Sequence, residues 1–226
     1  MCAFDIPTQY IKYIIMYFSD RYDAAMQLAK HLEKYKHEDG VILAVPRGGV
    51  PLGYYLAKHL DFPLDLLMTK KLGHPSHEEY AIGAVGIEDS IVEQSVGISH
   101  EYIEQEVKRI RRQLIERYRK FMGNKEPVDL GNKTVIIVDD GIATGRTILG
   151  SIQMLKSKHP KKLVVAVPVA SREAALRIKQ EVDDFICLYT PSPFYGVSRF
   201  YADFSQTTDE EVIMLLKELN ARGHAA

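Results

Sequence analysis

A chain of 226 residues with 46% hydrophobic content can bury a sizeable core, which points to one large domain. Charged residues make up 26% and nearly cancel to a net of -1, which excludes the strongly basic balance of a general nucleic-acid binder. Cys2 and Cys187 lie far apart and form no CxxC or metal-ligand spacing, so no disulfide framework is expected.

The amino-terminal apolar stretch, Tyr10 to Phe18, is interrupted by Lys12. It is about half the roughly 20 residues that a membrane span needs. It also lacks the basic start and small-residue cleavage site of a secretory signal, so the expected location is the cytoplasm, without membrane attachment. Residues 1 to 15 read as a disordered extension, with 16 to 226 as a single domain. From Asp20, the residues Ala24, Ala25, Leu28, Leu32 and Tyr35 recur at helical spacing after an Asp cap. "VILAV" (41 to 45) has strand character and is closed by "PRGG"; "VPLGYYLAKHL" follows as a helix and "LDLLMT" (64 to 69) as a second strand. The alternation resumes at 135 to 138, 147 to 158, 163 to 169, 172 to 181 and 184 to 189. Apolar strands alternating with helices predict an α/β fold, a parallel sheet flanked by helices on both faces. Cys187, inside "FICLY", is expected to be a buried thiol.

Two regions break the alternation. Residues 70 to 99 carry Gly73, Gly83, Gly86 and Gly97 among polar residues, with weak strand character near Ile82 to Ile87 and Ile91 to Val96. They read as a flexible loop or β-ribbon excursion. Residues 190 to 206, including "TPSPFYGVSRFYADF", are rich in aromatics and Pro and are expected to fold over a pocket as a hood. Phe194, Tyr195, Phe200 and Tyr201 within it either pack as core or stack on a base. Between the two lies a long helix, 100 to 122, whose apolar stripe is Val107, Ile110, Leu114, Tyr118 and Phe121. Its many Lys and Arg residues alternate with Glu, so its outer face reads as solvated or as a subunit contact, and no nucleic-acid partner is expected.

The chemistry concentrates in "VIIVDDGIATGRTI", 135 to 148. Ligands of open parallel sheets collect beyond the carboxyl ends of the strands, where Asp139 and Asp140 fall. The next residues are small, Thr144 and Thr147 offer hydroxyls, and a helix begins near Gly145, which suits a phosphate. Two acids beside a phosphate cradle repel it unless they address sugar hydroxyls or a hydrated Mg²⁺. The patterns GxxxxGK[ST] and GxGxxG are both absent, so neither a P-loop hydrolase nor a dinucleotide enzyme is supported.

On these residues the chain resembles type I phosphoribosyltransferases, and "VPRGG" (45 to 49) resembles their diphosphate loop. With "PRGG" and "EEYAIGAVG" it resembles a little-characterised branch of that family. The resemblance implies a Rossmann-like fold with a flexible ribbon and a carboxyl-terminal hood. It implies transfer of a 5-phosphoribosyl group from phosphoribosyl diphosphate (PRPP) to a nitrogenous base, of which a purine is one candidate. Asp139 and Asp140 would bind the ribose hydroxyls and, through substrate or water, Mg²⁺. Gly141 and Ala143, Thr144, Gly145, Arg146 and Thr147 would wrap the 5-phosphate, and Arg47, Gly48 and Gly49 would hold the diphosphate. Family members often carry a non-proline cis peptide in that loop, and Arg47-Gly48 is the candidate bond. A homodimer is implied as well.

One position departs from part of the family. Hypoxanthine-type enzymes carry an acid where Ala143 stands, serving the purine as proton acceptor. Adenine-type enzymes have a small residue there and a Lys- and Glu-bearing loop over the site. "KKLGHPSHEEY" resembles that loop, which makes Lys70, Lys71, Glu78 and Glu79 candidates to close over diphosphate and base, with Lys71 and Glu79 foremost. His74 and His77 lie in the same stretch. The missing acid also motivates an alternative, a sensor that binds PRPP or a nucleotide without turnover.

Overall fold

The computed structural model describes residues 18–92 and 97–223; the expected extension, 1 to 15, and the end of the second weak strand near Val96 lie outside them. Asp20 caps helix α1 (Arg21–Leu32) by accepting from the Asp23 amide at 2.8 Å, and α1 buries Ala24, Ala25, Leu28 and Leu32. Tyr35 is buried in the 3₁₀ turn that follows. Strand β1 (Gly40–Ala44) is buried throughout, then come α2 (Gly49–Leu60) and β2 (Leu64–Leu66). The second strand is shorter than its apolar run suggests, because Thr69 already belongs to the ribbon.

That ribbon is a separate antiparallel sheet of β3 (Thr69–His74), β4 (His77–Gly86) and β5 (Ser90–Val92). "TKKLGH", read as loop for its charge and glycine, is a strand. Its backbone pairs with β4 from Thr69↔Gly86 to His74↔His77, and Leu72 is buried. Helix α3 (His100–Met122) turns Ile110, Leu114, Tyr118 and Phe121 into the core of its own subunit, leaving Val107 half-buried. Most of its stripe is therefore spent inside its own chain. Strand β6 (Thr134–Val138), α4 (Arg146–Lys156), β7 (Lys162–Val169), α5 (Arg172–Lys179) and β8 (Asp184–Tyr189) complete the alternation. A last helix, α6 (Asp209–Gly223), was not anticipated, although Val212, Leu215 and Leu216 recur at helical spacing behind an acidic first turn and are buried.

The main sheet has five parallel strands in the order β2-β1-β6-β7-β8. Alternate residues feed two cores, as the period of two requires. Ile42, Ala44, Ile136 and Val138 join α1, α2, α3 and α6 on one face, and Val41, Leu43, Val135 and Ile137 join α4 and α5 on the other. No helix among the described residues is long and apolar enough to cross a membrane. Cys187 is half-buried; its thiol donates to the Tyr189 carbonyl at 3.2 Å, and burial pushes it up to about 11.

At the amino-terminal end of the sheet, Glu38 gathers Lys162 (2.7 Å), the Thr134 hydroxyl (2.6 Å) and Lys161 (3.2 Å). These donors, Lys162 foremost, pull its carboxyl down to about 2. A depressed acid stabilises the fold above its unfolded pKa and loses that contribution as pH falls through the folded value. Glu38→Gln should therefore cost about 1 kcal/mol at neutral pH in urea denaturation. The gap from the parent protein should close as pH is lowered from 4.5 towards 2.

Candidate functional site

Register places the site. Ala44 pairs with Val138, so β1 and β6 end level and the two loops emerge side by side. The ladder extends by one bond, Val45 N to Val138 O at 2.9 Å, before the first loop turns into α2. The non-proline cis peptide is Pro46-Arg47, one residue before the expected Arg47-Gly48. Gly48 already has helical dihedrals (φ -59°, ψ -33°) leading into α2, so the chain turns ahead of it. Both glycines are demanded by the neighbouring loop. A Cβ on Gly48 would lie 2.0 Å from Asp140 Oδ2, and one on Gly49 2.6 Å from the Val138 carbonyl.

Asp139 and Asp140 stand just past β6. The Asp140 amide donates to Asp139 Oδ1 at 2.9 Å, and Asp139 makes no ion pair among the described residues. Burial and the Asp140 charge push the Asp139 carboxyl well above the usual range. Burial also raises Asp140, and Arg21 pulls it back. Arg21 donates to Asp140 Oδ2 from Nε at 3.0 Å and from Nη2 at 2.8 Å. Its Nη1 donates to the Ser205 carbonyl at 2.8 Å, and its guanidinium lies 4.1 Å from the Phe204 ring centre. The Tyr201 hydroxyl donates to the Asp140 carbonyl at 2.7 Å. Arg21 was missed in the sequence. Its signal was a cation in the first turn of a helix, where the dipole favours acids.

The second loop is tied to the end of β7: Ile142 N donates to Val169 O and Ser171 N to Ile142 O, both at 2.9 Å. The Ser171 hydroxyl holds the Ala143 carbonyl at 2.6 Å. Gly145 starts α4 in the left-handed region (φ 71°) with no side-chain cap. The N–H groups of residues 143 to 148 donate to no described residue. Ala143, Thr144, Arg146 and Thr147 are exposed. An uncapped helix start with free amides has the electrostatics of an anion site.

Other candidates are placed differently. Arg47 pairs with Asp209 at 3.3 Å, and the same carboxylate holds Lys120 at 2.6 Å. Lys70 reaches Gln113 on α3 at 3.3 Å, and Lys71 is exposed. His74 and His77 face each other at the hairpin tip, ring centres 6.0 Å apart. Glu78 and Glu79 belong to β4, and their side chains lie outside what is described. The ribbon is rooted on α4 through Thr69 Oγ1 and Ser151 Oγ at 2.9 Å. In the hood Tyr201 is core, Phe194 and Phe200 stack at 5.7 Å, and Tyr195 is 80% exposed. Removing the charge that occupies Arg47 should help anions. Asp209→Asn is expected to tighten inorganic diphosphate binding about threefold in calorimetry at low salt, and less at physiological salt.

The model of the phosphoribosyl transferase domain matches residues 19–204, from α1 through the hood. A Mycobacterium tuberculosis protein named "Putative phosphoribosyl transferase" is 36% identical over 210 residues, 88% of this chain. The match takes in 46% of that relative, so the chain spans about half its length. The crystal structure of TT1426 from Thermus thermophilus aligns with a TM-score of 0.82 and 34% identity, covering 90% of this chain and 99% of that one. A uracil phosphoribosyltransferase from Clostridioides difficile is 37% identical over 60 residues, 26% of this chain and 29% of its own. With the domain model matched over most of this chain and the paired ends of β1 and β6 bearing both loops, the chain belongs to the phosphoribosyl transferase family.

Proposed function

We propose that the protein transfers the 5-phosphoribosyl group of PRPP to a nitrogenous base, a purine being the first class to try. The bond from the anomeric carbon to the diphosphate oxygen breaks, and the oxygen keeps the electron pair. A bond from the base nitrogen to that carbon forms, and the nitrogen loses a proton. The observation that carries this reading is the pair of carboxyls at 139 and 140 beside the free amides of 143 to 148. Acids there suit hydroxyls and the positive charge developing on the sugar, and amides suit the 5-phosphate.

In this reading Asp139 and Asp140 hold the ribose hydroxyls, and Gly141 and Ala143 to Thr147 wrap the phosphate. Arg47, with the backbone of Gly48 and Gly49, takes the diphosphate by exchanging its Asp209 partner. Lys71 and Glu79 on the ribbon close over diphosphate and base. A Mg²⁺ ion fits the donor chemistry: Asp139 is a hard oxygen donor, crowded by Asp140 and without an ion pair among the described residues. Asp139 and Asp140 would hold the ion through substrate or water, and bound there it would neutralise charge on the diphosphate. We read the working form as a cytoplasmic homodimer, which sedimentation and cell fractionation test.

Ala143 favours one second reading, a PRPP sensor, because it offers the base no proton acceptor. Diphosphate release from PRPP and Mg²⁺ across a panel of bases, beside calorimetry with PRPP, separates the two. Release with at least one base supports the transferase. Binding without release from any base supports the sensor, and absence of binding sinks both.

A further inference from the structure

We propose that Arg21 is a positioning residue for the ribose subsite, latching the hood to the second acid of the signature. The proposal rests on the reading of Asp140 as a ribose ligand. Three observations on one side chain carry it. The guanidinium spends Nε and Nη2 on a single oxygen, Asp140 Oδ2, at 3.0 and 2.8 Å. That leaves Oδ1 of the same carboxylate without a hydrogen bond among the described residues. Its Nη1 holds the Ser205 carbonyl at 2.8 Å, and its face lies on Phe204 at 4.1 Å, both at the carboxyl-terminal end of the hood.

The geometry has consequences for a sugar. An aspartate turns freely about its terminal torsion, and pinning one oxygen by two bonds fixes where the other points. Gly48 packs close against the same oxygen, since even a methyl group there would lie 2.0 Å from Oδ2. Oδ2 of Asp140 is thus held by a guanidinium on α1 and crowded by the backbone of the β1–α2 loop before any sugar arrives. Pre-orientation of this kind lowers the entropy lost on binding. The side chain of Arg21 is only 13% exposed, so the clamp is shielded from solvent competition. Tyr201, which donates to the Asp140 carbonyl at 2.7 Å, ties the same residue to the hood a second time. Hood placement and acid orientation are therefore one structural variable.

Two probes separate this role from general damage. Ribose 5-phosphate needs both the acids and the amides, whereas inorganic phosphate needs the amides alone. By calorimetry, Arg21→Ala should weaken ribose 5-phosphate about 10- to 100-fold, as loss of bonds to a charged group does, and leave inorganic phosphate within about twofold. Arg21→Lys should recover part of the loss, because one ammonium cannot make the double bond to Oδ2 and reach Ser205 together. Millimolar guanidinium should restore part of the Arg21→Ala affinity. Equal losses for both probes, or ribose 5-phosphate affinity unchanged in a folded Arg21→Ala protein, overturns the proposal. Failure of the parent protein to bind ribose 5-phosphate at all defeats the reading of the site itself.

Discussion

Gly48→Ala should abolish PRPP binding, by at least about 100-fold, in a protein that still folds. The backbone does not object to alanine, because Gly48 has φ -59° and ψ -33°, ordinary right-handed helical values. The whole effect comes from one methyl group placed 2.0 Å from Asp140 Oδ2 and 2.6 Å from its Cγ. Something must yield. If the carboxylate swings away, it leaves Arg21 and the proposed ribose position together. If the loop retreats instead, the backbone proposed to hold the diphosphate shifts and the Val45 to Val138 bond of 2.9 Å is stretched. Either route should cost about 1–3 kcal/mol of stability, as overpacking does. Calorimetry with PRPP beside urea denaturation measures both effects. Parental affinity in the variant would show that the two loops do not share one ligand.

Asp65→Ala should be the most destabilising single change outside that site. Asp65 is 2% exposed and has no ion pair among the described residues, yet every donor around it is aimed at its carboxylate. Oδ1 accepts from the Leu66 amide at 2.7 Å and the Tyr118 hydroxyl at 2.8 Å, and Oδ2 from the Val128 amide at 2.7 Å. Burial raises its pKa, and these three donors pull it back. One side chain thereby joins β2, α3 and the connection that leads into β6. Alanine strands all three donors. Water entering the adjoining cavity of about 280 Å³, which Asp65, Tyr118 and Val128 help to line, limits the damage. The expected loss is about 3 kcal/mol, or roughly 10 °C in Tm. Asp65→Asn should lose about half as much, since its amide oxygen keeps the Oδ1 partners while its NH₂ group opposes the Val128 N–H. Chemical denaturation of both variants checks the order, and equal stability of Asp65→Ala and the parent would refute the account.

The contrast between these two aspartates shows what a sequence displays. Asp140 stood out because its neighbours in the chain, a strand before and a small-residue turn after, define its setting. Asp65 sits inside "LDLLMT", and nothing local marks it, since its partners at 118 and 128 lie far along the chain. The same holds for "TKKLGH", which looked like loop because its strand character comes from the pairing with β4.

The sequence by itself determined the alternation of strands and helices, the two loops at the carboxyl ends of β1 and β6 and the stripe of α3, because each depends on residues within a few positions of one another. Apolar period, cap and glycine signals act over one or two turns of chain. Only the tertiary structure decided which charges meet: Arg21 with Asp140 across 119 residues, and Arg47 with Asp209 across 162. Those pairings follow from strand order and from where the hood and α6 return to the sheet. A side chain's charge states what it attracts, whereas its partner is set by the packing of elements that no short stretch contains.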